Sequence, residues 1–383
     1  MKVVMIPSVS GGIGHVSRTA ALARALRSLN PAVQVEYVLD TRRLRPFNIE
    51  ATMQMGFRPR LLPELTRQNR DAVVQACLGD ADIIVDDATR YLLPWRRAVP
   101  QAAWVSILMH PVGDELFVDW PWMAQMDALI WPYAPLVGLP AELAMFEGKI
   151  LRTGPFLETD GVPDKPVARQ RLRLQPEEQV VVYAVRGFPF GRKFGHAVLA
   201  SLYRAVEALR GTTHPHLKLV LLAVGSSQEL YHVPGVPRSL PDWVRVEGVV
   251  PSSEALLYTR AADILVGEGT STMHEGAALR TPLVLLPGPI QEASVLAQRL
   301  GEHEAADVFG VKAVAADGFE SAFEPVTPEA LAAAFAAILA GGESRMAKTR
   351  RAFDLVTQGG GVFAATRLIL DVAARRNRAE AAQ

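Results

Sequence analysis

The residues best suited to chemistry fall in two short runs, one near each end of the chain. The first is Gly11-Gly12-Ile13-Gly14-His15, which lies between an apolar run, Lys2–Pro7, and a helical pattern with Leu22, Ala25, Leu26 and Leu29 three and four apart. Glycines such as Gly12 and Gly14 permit unusual backbone angles and let a ligand approach the main chain. The helix that follows presents free N–H groups and a partial positive charge. An imidazole in that first turn has its cationic form disfavoured, so His15 reads as a neutral base facing a cleft. It reads equally as a histidine bonded to a nearby backbone group. A base needs an orienting carboxylate. Asp86 and Asp87 follow the apolar run Ile83–Val85 and reach the ligand edge of the same sheet; either could hold the ring, and each alone reads also as a turn or capping residue. His110 is a weaker rival base, and Arg18 meets an anion or is simply solvated.

The second run begins at Val266 and reads GEGTSTMHEGAALRTPLVLLP up to Pro287. A strand ends, a turn bearing Gly269 follows, and Thr270, Ser271 and Thr272 open a helix. Their hydroxyls and backbone N–H groups suit phosphate oxygens. A helix dipole contributes only about 0.3–1 kcal/mol, so side-chain cations such as Arg186, Arg192 or Lys193 are expected to share a di-anion. Glu275, one turn in, could accept both hydroxyls of a ribose. Thr272-x-x-Glu275 is also a capping box that needs no ligand.

The elements that must position these groups form two similar sets. Strand, turn, helix and strand alternate from Lys2, with later strands at Ile83–Val85 and Ala102–Leu108. Residues 148–166, rich in Gly, Pro and charge, read as a joint. The pattern then restarts with strands at Gln179–Val185, Leu217–Val224, Val244–Val250, Ile264–Val266 and Leu283–Leu286, an Arg186–Gly195 loop and a His196–Arg210 helix. Helices are expected at Thr327–Leu339 and Ala364–Arg375, with a frayed tail at Arg376–Gln383. Continuous apolar strands separated by helices predict parallel sheets covered on both faces. The expected fold is therefore α/β, with two Rossmann-like doubly wound domains whose ligands lie in the cleft between them. The expected domains are 1–150, a linker at 151–166, a second domain at 167–358, and a last helix at 359–376.

Composition narrows the function. The 383 residues are 49% hydrophobic and 21% charged, which excludes disorder as the main state. Lys+Arg and Asp+Glu are both 40, so no net charge draws the chain to nucleic acid or an anionic membrane. A single cysteine, Cys77, excludes an internal disulfide or a multi-cysteine zinc site and reads as a small buried apolar residue. The N-terminal apolar run is too short for a signal peptide, and no stretch matches a membrane span. A cytoplasmic protein with at most peripheral membrane contact is expected.

GGIGH together with GEGTSTMHEGAALRTPLVLLPGPIQE resembles the two signatures of GT-B glycosyltransferases of families 1 and 28. Thr153-Gly154-Pro155 is like the family's interdomain joint, and GGGVFAATRLILDVAA is similar to the C-terminal helix that crosses back onto the first domain. The resemblance implies transfer of a sugar from a nucleoside-diphosphate sugar, with UDP or dTDP favoured, to an acceptor hydroxyl, without cofactor or obligatory metal. It implies His15 as general base with Asp86 or Asp87 as its partner. Donor contacts are implied at Gly12, Gly14, Arg186, Gly187, Gly269, Thr270, Ser271, Thr272 and Glu275, with Gln291 or Glu292 on the sugar and backbone groups near Val249 on the nucleobase. Three departures stand out: Gly267 replaces a common His or Arg, VRGFPFGRK replaces a Gly-Gly-Ser or Gly-Ser loop, and Gln291-Glu292 replaces an Asp-Gln pair.

Phe117, Trp120, Trp122, Trp131 and Tyr133 crowd one segment of the first domain and suggest either an aromatic wall for an apolar or lipid-like acceptor or ordinary core packing. Gly12-Ile13-Gly14-His15-Val16-Ser17-Arg18 also resembles GT-B-like hydrolases that move the sugar to water. A third possibility is a non-catalytic nucleotide-sugar-binding protein that signals by closure.

Overall fold

The computed structural model describes residues 1–9, 14–41, 44, 46–87, 92–109, 120–184, 192–222, 233–248, 250–269, 271–287, 291–310 and 326–381, with the side chains at 47, 120, 192–194, 291–294, 377 and 379–381 outside the description. The chain divides into two compact units, Met1–Leu157 with Thr357–Gln383, and Glu158–Val356.

The first unit holds a seven-stranded sheet. Its strands are β1 (Lys2–Pro7), β2 (Gln34–Asp40), β3 (Pro59–Leu62), β4 (Ile83–Asp87), β5 (Ala103–Ile107), β6 (Ala128–Trp131) and β7 (Ile150–Arg152), in the order β3-β2-β1-β4-β5-β6-β7, and every pairing is parallel. Parallel neighbours require crossovers. The first is α1 (Gly14–Leu29), free of Gly and Pro after its first residue and buried along most of its length. Alternate residues decide which face each strand gives to α1. Val3, Met5, Val35, Tyr37, Ile83, Val85 and Val105 join Ala20, Leu22 and Leu26 of α1 in one core. Ile369 and Ala365, from the last helix of the chain (Gly361–Ala381), complete it. That helix runs past the expected stop. Arg376, read as the start of a frayed tail, donates to the carbonyls of Ala102 and Pro100 at 3.0 and 2.7 Å.

The polypeptide enters that helix through a tight passage. Gly359 has φ +82°, and a Cβ there would lie 2.9 Å from the Gly154 nitrogen. Ile150–Arg152, inside the stretch read as a joint, is an edge strand, because its apolar residues pair with Leu129–Trp131.

The second unit holds β8 (Gln179–Ala184), β9 (Leu217–Leu222), β10 (Val244–Gly248), β11 (Ile264–Gly267), β12 (Leu283–Leu285) and β13 (Asp307–Val308), all parallel, in the order β10-β9-β8-β11-β12-β13. The helix after β8 spans Arg192–Arg210, so residues 192–195, expected in a loop, are helical. The two runs singled out from the sequence flank the points where strand order reverses, β1/β4 in one sheet and β8/β11 in the other. Ligands of doubly wound sheets bind outside the carboxyl ends of the strands at such points.

Candidate active site

In the first unit, β1 and β4 are neighbours, with Pro7 opposite Asp87. The short connection after β1 returns the chain at Gly14, so His15 is the second residue of α1. Asp87 continues the row Ile83–Val85 and therefore faces α1, and it is fully buried. His15 Nδ1 lies 3.2 Å from Asp87 Oδ1. Asp86, one residue earlier, points to the opposite face. It is also buried, and it accepts a 2.8 Å hydrogen bond from Ser106 Oγ, its register partner on β5. Of the two aspartates left open by the sequence, Asp87 is the one beside His15.

Arg18 is bound to Asp87. Its Nε donates to Asp87 Oδ2 at 2.6 Å, and a terminal nitrogen donates to Oδ1 while standing 3.2 Å from His15 Nδ1. Burial alone would push the Asp87 carboxyl up; the charges and hydrogen bonds of Arg18 and His15 outweigh it and hold the carboxyl below its ordinary value. Thr19 Oγ1 donates to the carbonyls of His15 and Val16 and so pins the first turn of α1. The sequence signal for the Arg18 contact was its spacing, since residues three apart share a helix face.

In the second unit, β11 ends at Gly267 and Gly269 has φ +94°, a conformation that favours glycine. The next helix spans Ser271–Ala278. Thr272 is thus its second residue rather than its cap, and the Thr272–Glu275 capping box is absent: a cap must stand outside the helical turn it closes. Ser271 is exposed and Thr272 partly so. Glu275 shows part of its surface to solvent, yet protein atoms pack closely about its carboxyl, and that burial pushes its pKa up to about 7. Among the described residues no hydrogen bond or ion pair engages it. The Tyr183 hydroxyl, near the end of β8, is buried without a hydrogen-bond partner, and burial and Glu268 drive its pKa well up. Sequence reasoning had singled out neither Tyr183 nor Glu268.

A carboxyl raised in this way has a definite pH signature. Its proton-bound form is favoured in the folded chain, so the burial penalty is absent below the ordinary value of 4.5, grows as pH rises and is complete above about 7. Glu275→Gln should therefore nearly match the parent in stability at pH 4.5 and exceed it by about 3 kcal/mol above pH 7. Melting curves of both proteins across this range check it; a gain independent of pH would contradict it.

Other expected contacts are more scattered. Gln291 and Glu292 begin the helix Gln291–Glu302, with their side chains outside the description. Gly12, His110, Arg186, Gly187, Val249, Thr270 and Phe117 lie outside the described residues, as do the side chains of Trp120, Arg192 and Lys193. Of the aromatic segment, the three described rings, Trp122, Trp131 and Tyr133, are buried as core. Trp131 is the last residue of β6, wholly buried, with Nε1 donating to the Val137 carbonyl at 3.0 Å. It packs edge-on to Tyr133, and Trp122 does the same to Trp104. These rings are core because they lie on or beside an interior strand. Cys77 is buried, as expected. Among the described residues no single helix is long and apolar enough to cross a membrane.

Two parallel, doubly wound units, each with chemically suited residues at its switch point, define the chain as a GT-B fold. Solved structures agree. The glycosyltransferase VinC in complex with dTDP superposes with a TM-score of 0.65 at 18% identity, covering 98% of this chain and 100% of VinC. Spinosyn forosaminyltransferase SpnP gives 0.65 at 17%, covering 98% and 99%. The UDP-GlcNAc 2-epimerase from Neisseria meningitidis bound to UDP-GlcNAc gives 0.64 at 10%, covering 98% and 100%. At such identities the likeness is one of fold. No family model matches the chain, and no curated protein matches it in sequence.

Proposed function

We propose that the chain transfers a sugar from a nucleoside-diphosphate sugar to an acceptor hydroxyl, with His15 as general base and Asp87 as its orienting partner. The observation that carries this is the contact of His15 Nδ1 with a buried carboxylate at the switch point of the first sheet. In this reading the ring hydrogen is on Nδ1, donating to Asp87 Oδ1. Nε2 is then the free lone pair. It accepts the proton of the acceptor hydroxyl as that oxygen bonds to the anomeric carbon. The bond from that carbon to the diphosphate breaks, and the nucleoside diphosphate leaves with the electron pair.

The donor belongs to the second unit in this reading. The helix that starts at Ser271 offers N–H groups and a partial positive charge to the diphosphate, and cations from the Arg186–Lys193 stretch complete its neutralisation without a metal. Glu275 sits where a carboxyl can meet ribose hydroxyls. Held near pH 7 it both accepts and donates, which suits a diol. Gln291 and Glu292, at the start of their helix, take the sugar hydroxyls.

The first test is binding. A ligand that favours the folded state raises the melting temperature in step with its affinity. UDP and dTDP, and their sugars, are expected to do so, and Glu275→Ala should raise the dissociation constant by about tenfold or more and shrink the shift accordingly. EDTA should leave both binding and turnover in place. No shift with any nucleoside diphosphate would end the proposal. Steady release of free sugar without an acceptor would redirect it to hydrolysis, and appearance of an isomeric sugar nucleotide to epimerisation.

A further inference from the structure

Arg18 has no role in the chemistry described so far, yet it is the group most intimately engaged with the candidate base. Asp87 lies on β4, the central strand of seven, where the backbone is held from both sides by β1 and β5. Its two oxygens are gripped by the two prongs of one guanidinium, from Nε and from a terminal nitrogen. The planar fork fixes the carboxylate plane as well as its position. That same terminal nitrogen stands 3.2 Å from His15 Nδ1, so three groups meet around Oδ1.

Stability alone is a weak reason for this arrangement. A buried ion pair gains little over an apolar pair of similar volume, because both charges must leave water. Here the pair is also placed against an imidazole: the guanidinium holds the carboxylate whose Oδ1 meets His15 Nδ1, and so bears on which ring nitrogen carries the hydrogen.

We propose that Arg18 is a positioning residue for the base: it orients Asp87 so that the Nδ1–H form of His15 prevails. The inference rests on the assignment of His15 as base. Among the described residues, other charged or titratable groups lie near this cluster on several elements. Tyr37 on β2 lies in the same core and is electrostatically coupled to Asp87. Arg24 and Arg27 lie further along α1 and act on Tyr37. Asp86 on β4 turns to Ser106 on the other face. The last helix, Gly361–Ala381, packs on α1 and carries Arg367 and Asp371, neither of which has an ion pair with His15, Arg18 or Asp87 among the described residues.

The test reads the imidazole directly and needs no substrate. The full-length chain, labelled with ¹⁵N in its histidines, is titrated by NMR, and His15 is assigned by loss of its signals in His15→Ala. In the parent the shifts should report the Nδ1–H tautomer. In Arg18→Gln the Nε2–H form should become populated. Arg18→Lys keeps a charge but loses the fork, so its tautomers should mix as well. This second variant carries the test if Arg18→Gln does not fold. An unchanged tautomer in either variant would overturn the proposal. Failure of sugar transfer would leave these spectra untouched, so the two claims fall separately.

Discussion

His15→Ala should bind a nucleoside diphosphate within a few-fold of the parent and turn over at least ~100-fold more slowly. The size follows from what is removed. A positioned base contributes on the order of 10²–10⁴ in rate, whereas the proposed phosphate and ribose contacts all lie in the second unit and are untouched by this change. Titration calorimetry with UDP or dTDP, alongside steady-state release of the nucleoside diphosphate, measures both quantities. Loss of nucleotide affinity would make His15 a ligand contact instead of the base. Full biological activity in His15→Ala would favour a binding protein.

Asp87→Ala should cost about 3 kcal/mol of stability as well as most of the activity. Removing one partner of a buried pair leaves the other charge uncompensated, and such losses run to about 3–5 kcal/mol. The lower end applies because Arg18 keeps some exposure, 18% of its side chain. The pH dependence separates this from a simple packing defect. Because Arg18 and His15 hold the Asp87 carboxyl below its ordinary value of 3.8, its contribution is complete above that value and disappears as pH falls through the lower, folded-state value. The stability difference between parent and Asp87→Ala should therefore be constant at neutral pH and shrink below about pH 4. Paired denaturation curves at pH 7 and in the acid range decide it; a difference that persists unchanged into acid would show that the lost contribution is not the charge.

Much of this molecule was legible before any coordinates. Within the run KVVMIP, Val3 to Ile6 are apolar at every position, as suits a strand covered on both faces. Its strand, Lys2–Pro7, has the expected limits, and the longer later strands lie within a residue or two of theirs. The strands that escaped notice, Pro59–Leu62, Ala128–Trp131, Ile150–Arg152 and Asp307–Val308, are two to four residues long. They are too short to show a period. His15 and Glu275 were picked out because glycines and hydroxyl residues after an apolar run mark the start of a helix at a sheet edge, and both residues do lie there.

What local pattern could not settle were the choices between partners. Asp86 and Asp87 differ by one pleat, and a pleat reverses the face on which a side chain lies. Only the packing of α1 against the Val3, Met5 and Val85 row made Asp87 the neighbour of His15 and sent Asp86 to Ser106. The same holds for Arg18, whose spacing placed it beside His15 while the fold supplied the carboxylate. It holds for Trp122 and Trp131, whose rings became core only once a strand and its neighbours enclosed them. The amino-acid order determined two parallel α/β units and the chemistry at the edge of each, because hydrophobic periodicity and turn chemistry act over a few residues. Tertiary structure decided which groups meet, because the face of a strand acquires its meaning from the element that covers it.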